Sequence, residues 1–385
     1  MLDVQVDIQV PTTVLEKLRA AFADDVQLAL IAADVDRVQS YVFESAKLAE
    51  MRGASLILDL LNVKDSNHED WGDVEIEGQA VTGIRQMLAD EFSQAVVIYT
   101  SGGGAMIVSE LDQAGKIKKR IEQLYVEMTL TATITVVYEP VRLADLEGRP
   151  ASTAWINTKI ETAYGEASRL LKDNSGEPER GQFSELYALL GYRLRREKQK
   201  KLTAPIFEVS SFTERCGYCH FRPAFTIASE IDERPICQVC GRKRQDQGKD
   251  DRFAQSFYIN GFKKHIENRA ENKNPVPYQR KWIGVQSPPD LEAIAEAADK
   301  RASNFVGIIY ADGNDMGAQL ERLKTADDLE CFANEVRMAM EQAVFSGLGN
   351  LLDGPRKTER KYKKGRKRTH TYHPFEIITI GGDDV

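Results

Sequence analysis

One pattern occurs twice along this chain and restricts the fold more than any other feature of the sequence. An apolar, strand-like run ends in an acidic turn, first as Ala-Asp-Val-Asp at 33–36 and again as Ala-Asp-Gly-Asn at 311–314. A later apolar run ends in glycines, at 101–104 and at 380–383. Two matches in the same order indicate a duplicated unit, although short strand–turn patterns also recur in any chain that mixes helices and strands.

The first copy has a complete order of predicted elements. A strand at 26–32 leads into a helix that begins near Val38, and a hairpin follows in which two strands flank the glycine turn. A helix from about Leu111 to Met128 and a strand at 131–141 complete the unit. This β-α-β-β-α-β order is typical of the ferredoxin-like layout, with helices on one face of an antiparallel sheet.

The sequence therefore predicts an α+β protein with two ferredoxin-like palm domains, a helical linker and a four-cysteine zinc insertion. The second palm is expected to be incomplete at the C-terminus, because the chain stops at Val385 and a palm hairpin needs a second strand. The predicted divisions are a leader at 1–25, the first palm at 26–145, a helical segment at 146–204, the zinc segment at 205–245, a helical linker segment at 246–300 and the second palm at 301–385.

The second copy carries acids at the ends of its predicted strands. Asp312 follows one strand, and Asp383 and Asp384 follow another through the turn Gly381-Gly382. Carboxylates that converge repel one another unless divalent cations neutralise them. Hard oxygen ligands suit magnesium or manganese, and two such ions can clamp the attacking and leaving oxygens of a phosphoryl displacement. The pattern favours nucleotidyl transfer, with a merely polar turn as the alternative.

Neighbouring glycines and acids extend this predicted site. The backbone carbonyl of Gly313 could supply another metal ligand, whereas Asp315 is equally suited to cap the following helix. The first copy has no acid in its glycine turn, so tight binding of two metal ions is not expected there. We expect the first copy to be non-catalytic and to bind or position a second nucleotide, with the backbone of Gly103 and Gly104 close to it.

Four of the five cysteines form two Cys-x-x-Cys pairs, Cys216 with Cys219 and Cys237 with Cys240. The two pairs are 17 residues apart in the sequence. This spacing is typical of a four-thiolate zinc site, and four cysteines leave no coordination position open for catalysis. We therefore expect a structural zinc ion. Cys331 stands alone in a helical pattern and is expected to be a small core residue.

Charge is distributed unevenly along the chain. The formal net charge of −8 argues against a protein that coats DNA, yet residues 355–368 hold nine Lys/Arg against one acid. This basic loop is expected either to contact the phosphates of RNA or of a triphosphate, or to be a solvated insertion. A second basic run at 193–201 predicts a solvated helix face, with nucleic-acid contact as the alternative.

The sequence gives no indication of a membrane or secretory segment. No apolar run approaches the roughly 18 residues of a transmembrane helix, and the N-terminus has no signal-peptide pattern. A cytoplasmic protein without a membrane partner is expected.

Several motifs resemble those of the large, palm-containing subunit of type III CRISPR effector complexes, the GGDD cyclic-oligoadenylate synthase family. They are Asp34-Val-Asp36 with Gln39-Ser-Tyr-Val-Phe, Arg52-Gly-Ala-Ser55, the glycine turn at 101–104, the four-cysteine insertion, Asp312-Gly-Asn-Asp-Met-Gly, and the run from His373 to Asp384. The resemblance implies ATP as substrate, cyclic oligoadenylates as products, and Asp312, Asp383 and Asp384 as metal ligands. It also implies guide RNA, target RNA, a small subunit and backbone subunits as partners.

Two features depart from the family pattern. Many members begin with a histidine–aspartate nuclease domain, but this sequence has no such pair, so DNA cleavage is not expected. Asn314-Asp315 stands where family sequences usually have Asp and then Asn. Two alternatives to a synthase are a stand-alone nucleotide cyclase that needs no RNA, and a non-catalytic nucleotide-binding scaffold subunit of a ribonucleoprotein.

Overall fold

A four-stranded antiparallel sheet forms the centre of the N-terminal unit. The computed structural model describes residues 13–63, 75–76, 79–148, 183–201, 212–227, 234–244, 257–271, 282, 285–297, 305–351, 357–361 and 367–381. The strands of this unit are β1 (Leu28–Asp36), the short pair β2 (Glu75–Ile76) and β3 (Gln79–Ala80), β4 (Val96–Ser101), β5 (Gly104–Glu110) and β6 (Thr133–Val141). Its helices are α1 (Val14–Ala21), α2 (Val38–Val42), α3 (Leu48–Val63), α4 (Ile84–Glu91), α5 (Leu111–Thr129) and α6 (Leu143–Leu146).

The order of strands in the sheet is β4-β5-β1-β6, and every neighbouring pair is antiparallel. The β-α-β-β-α-β sequence of elements and this strand order are those of the ferredoxin-like layout, so the element order predicted for the first copy is confirmed. The helix predicted near Val38 is interrupted, since α2 ends at Val42 and α3 begins at Leu48.

Helices cover both faces of the sheet, whereas the sequence predicted helices on one face only. Alternate residues of β1 enter two separate apolar cores: Ala29, Ile31 and Ala33 pack with α3 and α5, while Leu28 and Leu30 pack with residues of α1 and later helices. A strand buried on both sides has a continuous apolar run rather than an alternating one. This burial explains the unbroken Leu-Ala-Leu-Ile-Ala sequence of β1.

The rest of the described chain is mostly helical. Its elements are α7 (Phe183–Lys200), β7 (Thr226–Ile227), β8 (Pro235–Ile236), α8 (Gln238–Arg244), α9 (Phe257–Glu271), α10 (Leu291–Ala297), α11 (Met316–Leu320), α12 (Ala326–Leu351), β9 (Lys357–Lys361) and β10 (Lys367–Thr371). α12 begins at a reciprocal cap: the Asp328 amide donates to the Thr325 hydroxyl, and the Thr325 amide donates to the Asp328 carboxylate. No described helix has both the length and the apolar content that crossing a membrane requires.

Two segments that the sequence predicts as strands of the second copy are not strands in the structure. Residues 305–310 and 375–380 have no strand assignment. The first is largely exposed, with Ile308 and Ile309 each more than 85% accessible. Because a strand requires a hydrogen-bonded neighbour, apolar composition alone did not decide their conformation. The second palm therefore stays a prediction.

The segment at 375–380 is nevertheless well packed. Ile377 and Ile380 belong to an aromatic-rich cluster with Tyr258 and Phe262 of α9, Trp282 and residues of α12. On its other side Ile378 packs against the core of the N-terminal unit. The residues that lead to Gly381 thus lie between α9 and the first unit.

Cys331 is exposed on α12, and the expectation that it is a core residue is wrong. The helical pattern that includes Cys331 was recognised correctly, but the side of the helix that faces the core was not. Its thiol lies 3.5 Å from a carboxylate oxygen of Glu335, one turn later.

Part of the predicted basic loop forms a β-hairpin, although residues 355, 356 and 362–366 lie outside the described residues. In the pairing of β9 with β10, Arg368 is opposite Arg360 and Lys367 is opposite Lys361.

Candidate functional site

The acidic turn of the first unit is neutralised by lysines of the protein itself. Asp34 and Asp36 lie at the end of β1, and the end of α7 passes beside them. The ammonium group of Lys198 lies 2.5 Å from a carboxylate oxygen of Asp34, and that of Lys201 lies 2.7 Å from Asp36. The hydroxyls of Thr133 and Thr135 also donate to Asp36, at 2.8 and 2.7 Å.

These contacts alter the chemistry of Asp36. Burial raises its pKa, but hydrogen bonds from Lys201, Thr135 and Thr133 outweigh burial and lower the pKa below the usual range. Asp36 is therefore ionised and already compensated by protein donors. The basic run at 193–201 is partly solvated, as predicted, since Arg195, Arg196 and Lys200 are exposed, but Lys198 and Lys201 contact the acids of β1.

The glycine turn of the first unit contacts the C-terminal motif. Gly102 and Gly103 have φ of 57° and 80°, the left-handed region that glycine adopts readily. Gly104 pairs with Asp34 across the β1–β5 ladder. A Cβ on Gly381 would lie 3.1 Å from Cα of Gly102, so the two glycine backbones are in close contact. The structure thus places Gly381, the first glycine of the C-terminal motif, against the glycine turn of the first unit.

A buried ion pair holds the segment before Gly381 on α3. The Arg52 guanidinium forms an ion pair with Glu376, and both side chains are almost fully buried. The same guanidinium donates to the carbonyl of Pro288 at 2.8 Å. Arg52 belongs to the motif Arg52-Gly-Ala-Ser55, and its role here is to join α3 to two distant parts of the chain.

The predicted catalytic acids are only partly within the described residues. Asp312 is exposed, and both it and Gly381 take part in isolated backbone β-bridges. Gly313 follows Asp312 and is half-buried. Asp315 is the N-cap residue of α11, one of the two roles expected for it, but its side chain forms no capping hydrogen bond. Gly382, Asp383 and Asp384 lie outside the described residues, and their assignment stays a prediction.

Asp312, which the repeat pattern aligns with Asp34, has different surroundings in the structure. Asp34 contacts Lys198, whereas Asp312 has no ion pair or side-chain hydrogen bond to any other described residue.

The four cysteines of the two Cys-x-x-Cys pairs converge. Their sulfur atoms all lie within 4.8 Å of one another, and all four residues are buried. Hydrogen bonds from Cys219, Cys237 and Cys240 lower the pKa of Cys216, while hydrogen bonds with Cys216 and Cys219 raise the pKa of Cys237. Four thiolates can therefore coexist here only around a cation. The cluster could hold a metal ion such as zinc.

The cysteine cluster packs directly against the first unit. All four cysteines share an apolar core with α3 and α5. Lys243 of α8 is buried: its ammonium group donates to the carbonyl of Tyr41 at 2.6 Å and to the carboxylate of Glu44 at 2.8 Å. The same carboxylate accepts a hydrogen bond from Arg222. Glu44 thus joins the loop after the first cysteine pair to α8, the helix that contains Cys240.

Because residue 53 is glycine, the backbone of α3 can contact the backbone of α8 directly. A Cβ at this position would lie 1.5 Å from the carbonyl oxygen of Lys243. We expect Gly53→Ala to lower the free energy of unfolding by about 1–3 kcal/mol, the usual cost of an overpacked site. Urea denaturation checks this.

The matched control is Gly191→Ala, because a Cβ on Gly191 in α7 meets no atom within 4 Å. That variant is expected to leave the free energy of unfolding unchanged or raise it by up to about 1 kcal/mol, since alanine favours helix more than glycine does. Equal effects of the two substitutions would show that the α3–α8 contact does not constrain position 53.

Sequence reasoning missed the residues that connect distant segments. The basic run at 193–201 was visible, but nothing in it indicated that Lys198 and Lys201 reach β1. Tyr258 of α9 lies in an otherwise ordinary helical pattern, yet its hydroxyl is 3.0 Å from the carbonyl of Ile380. These contacts depend on tertiary packing, and no local spacing specifies them.

Comparison with solved structures gives Csm1–Csm4 cassettes as neighbours. An apo Csm1–Csm4 cassette matches over 93% of this chain and 44% of that chain, with 14% identity and a TM-score of 0.42. A Csm1–Csm4 subcomplex of the type III-A CRISPR–Csm interference complex matches over 93% and 45%, with 14% identity and a TM-score of 0.41. These neighbours come from the kind of complex that the sequence motifs resemble. Neither a family model nor a curated protein matches the chain.

Other matching structures contain nucleotides. A Csm1–Csm4 cassette in complex with AMPPNP matches over 96% of this chain and 47% of that chain, with 13% identity and a TM-score of 0.41. Further matching cassettes are complexes with pppApA and with cA4. This chain spans less than half the length of the chains it matches.

Proposed function

We propose that this chain is a metal-dependent nucleotidyltransferase that converts ATP to cyclic oligoadenylates in the cytoplasm. It would act as the large subunit of an RNA-guided type III CRISPR antiviral complex. The observation that supports this most is the contrast between Asp34, which Lys198 neutralises, and Asp312, which has no cationic partner among the described residues. The motif resemblance and the Csm1–Csm4 neighbours point in the same direction.

Asp312, Asp383 and Asp384 are the proposed metal ligands. Two magnesium or manganese ions held there would polarise the attacking hydroxyl and the α-phosphate of ATP and stabilise the departing pyrophosphate. The exposed carboxylate of Asp312 suits such hard cations. The protein's own contribution is to hold the acidic turn in place, through the Arg52–Glu376 ion pair and the contact of Gly381 with Gly102.

The first unit is proposed to position a nucleotide without reacting with it. Its glycine turn contacts Gly381, so the backbone of Gly103 and Gly104 is close to the proposed catalytic turn. The ammonium groups of Lys198 and Lys201 compensate the charges of Asp34 and Asp36. This is consistent with a unit that binds a nucleotide without catalysing its reaction.

RNA is the proposed activator, and the β9–β10 hairpin is a candidate contact for it. The opposed pairs Arg360/Arg368 and Lys361/Lys367 concentrate positive charge on this ribbon. Phosphate contacts of this kind weaken steeply with salt. Guide and target RNA, a small subunit and backbone subunits are the proposed partners.

Labelled ATP tests the proposed function. The chain would be assembled with its partner subunits and guide RNA and incubated with ATP and manganese, with and without target RNA. We expect cyclic adenylate products only when target RNA is present. Products that form equally without RNA would instead identify a stand-alone cyclase, and ATP binding without turnover would identify a scaffold subunit.

A further inference from the structure

Helix α3 is buried on nearly every side, and two of its sides contact remote parts of the chain. Glu50 and Gly53 are three positions apart and face α8, a helix of the cysteine cluster. Arg52 and Leu56, four positions apart, face the residues that precede Gly381. A helix without a solvated stripe is held by its neighbours on all sides. The position of α3 therefore depends on both contacts.

The residues of α8 that contact α3 come three and four positions after Cys240. The carbonyl oxygen of Lys243 would lie only 1.5 Å from a Cβ at position 53. The guanidinium of Arg244 forms an ion pair with Glu50 at 3.3 Å, and Glu50 is fully buried. α8 itself has only 7 residues, and isolated helices of this length are not stable in water. Its position therefore depends on its packing and on the cysteine cluster.

The contact of α3 with the C-terminal part of the chain is also buried. The Arg52 guanidinium forms an ion pair with Glu376, and only 5% and 3% of the two side chains are accessible. Leu56 lines a narrow crevice together with Ile377 and Ile378. Ile378 also packs against the apolar core that contains the four clustered cysteines. The 375–381 segment is thus fixed to α3 by a charge pair and by apolar contacts.

We propose that the cysteine cluster positions the 375–381 segment through α8 and α3, so that metal binding by the four thiolates and the order of this segment are coupled. With an ion bound, the four thiolates coexist and α8 is fixed against α3. Without it α8 is free to move, and because a close-packed interior transmits displacements, α3 shifts together with Arg52. The Arg52–Glu376 pair is then less well formed, and the segment is held less firmly. The segment leads to the proposed catalytic acids, so the consequence for turnover rests on the proposed function.

Thermodynamic coupling between two sites is reciprocal. If metal binding improves the Arg52–Glu376 contact, removing that contact lowers the metal affinity by the factor that the contact gains on binding. We expect Glu376→Gln, which keeps the shape and removes the charge, to lower the zinc affinity of the full chain roughly tenfold, within the usual range of coupling between sites. Competition with a chromophoric chelator measures this affinity. A substitution that destabilised the metal-free and metal-bound forms equally would leave it unchanged.

Glu139→Gln is the matched control. Glu139 of β6 is also fully buried and forms an ion pair with Arg193. It is opposite Leu30 on the face of the sheet that packs with α1 and α7, whereas α3 packs on the other face. This variant is expected to keep the wild-type zinc affinity. Unchanged affinity in Glu376→Gln, or an equal or larger loss in Glu139→Gln, would overturn the proposal.

Amide hydrogen exchange of the metal-loaded chain tests the path through α8. Arg244→Gln removes the ion pair with Glu50 and leaves all four clustered cysteines in place. The amides of the 375–381 segment are therefore expected to exchange roughly fivefold faster than in the wild type, because their local opening requires less free energy.

Arg242→Gln is the control for this measurement, because the Arg242 guanidinium lies in the same helix but donates to the carbonyl of Glu127 in α5. Its 375–381 amides are expected to exchange at the wild-type rate. An unchanged rate in Arg244→Gln would overturn the proposal, as would the same increase in both variants. Neither experiment measures turnover, so a failure of the proposed function would leave the coupling between the cysteine cluster and the segment intact.

Discussion

Replacing both terminal acids, as Asp383→Asn with Asp384→Asn, is expected to reduce product formation from ATP at least about a thousandfold. Each carboxylate is a proposed ligand of an ion that stabilises charge in the transition state, and such stabilisation amounts to several kcal/mol at about 1.4 kcal/mol per tenfold in rate. Association with RNA and with partner subunits is expected to be unchanged, because the proposed RNA contact at β9–β10 involves other residues. Turnover of labelled ATP and RNA co-purification measure the two effects.

The chain offers a matched control for this experiment. Asp24→Asn with Asp25→Asn also removes two adjacent negative charges, from an exposed turn before β1. This variant is expected to retain wild-type turnover. Full activity of the Asp383/Asp384 variant would remove the site assignment, and equal loss in both variants would indicate a general effect of charge.

The first unit was largely predictable from the sequence because its signals are local. The apolar run of β1, the glycine turn and the long amphipathic α5 each specify an element within a short stretch. Antiparallel pairing then follows from the hairpin between β4 and β5. The helices that pack on the second face of the sheet were not predictable, since α7 and α12 come from remote parts of the chain.

The candidate site shows the same division. Asp312 and the glycines at 381–382 stand out by their pattern, whereas the groups that hold the site do not. Arg52 reaches Glu376 across 324 positions, and Lys198 reaches Asp34 across 164. Such pairs combine ordinary surface residue types, and only the fold shows that they meet. The apolar runs at 305–310 and 375–380 were wrongly predicted to be strands. An apolar pattern in the sequence does not show that a second strand is present to pair with.

Substitution of the clustered cysteines is expected to have a large effect on both metal content and stability. Cys216→Ser with Cys219→Ser is expected to reduce bound zinc from one ion per chain to none. Structural zinc contributes on the order of 10 kcal/mol of apparent binding free energy in small domains, and this cluster is part of the core of the first unit. Loss of the metal should therefore lower the thermal unfolding temperature of the whole unit and not only of the cysteine segment. Elemental analysis together with circular dichroism measures both quantities.

Cys331→Ser is the control for the loss of a thiol. Cys331 is exposed on α12 and does not belong to the cluster of four sulfurs, so this variant is expected to retain one zinc ion and the wild-type unfolding temperature. Wild-type protein that contains no zinc would remove the metal assignment. In that case the four thiols would have to remain mostly protonated, because the pKa of Cys237 is raised by its neighbours once the first thiolate forms. Alkylation of the native protein by iodoacetamide would then distinguish buried thiols from ligated thiolates, since only removal of a bound ion by a chelator would make the cysteines of a ligated cluster reactive.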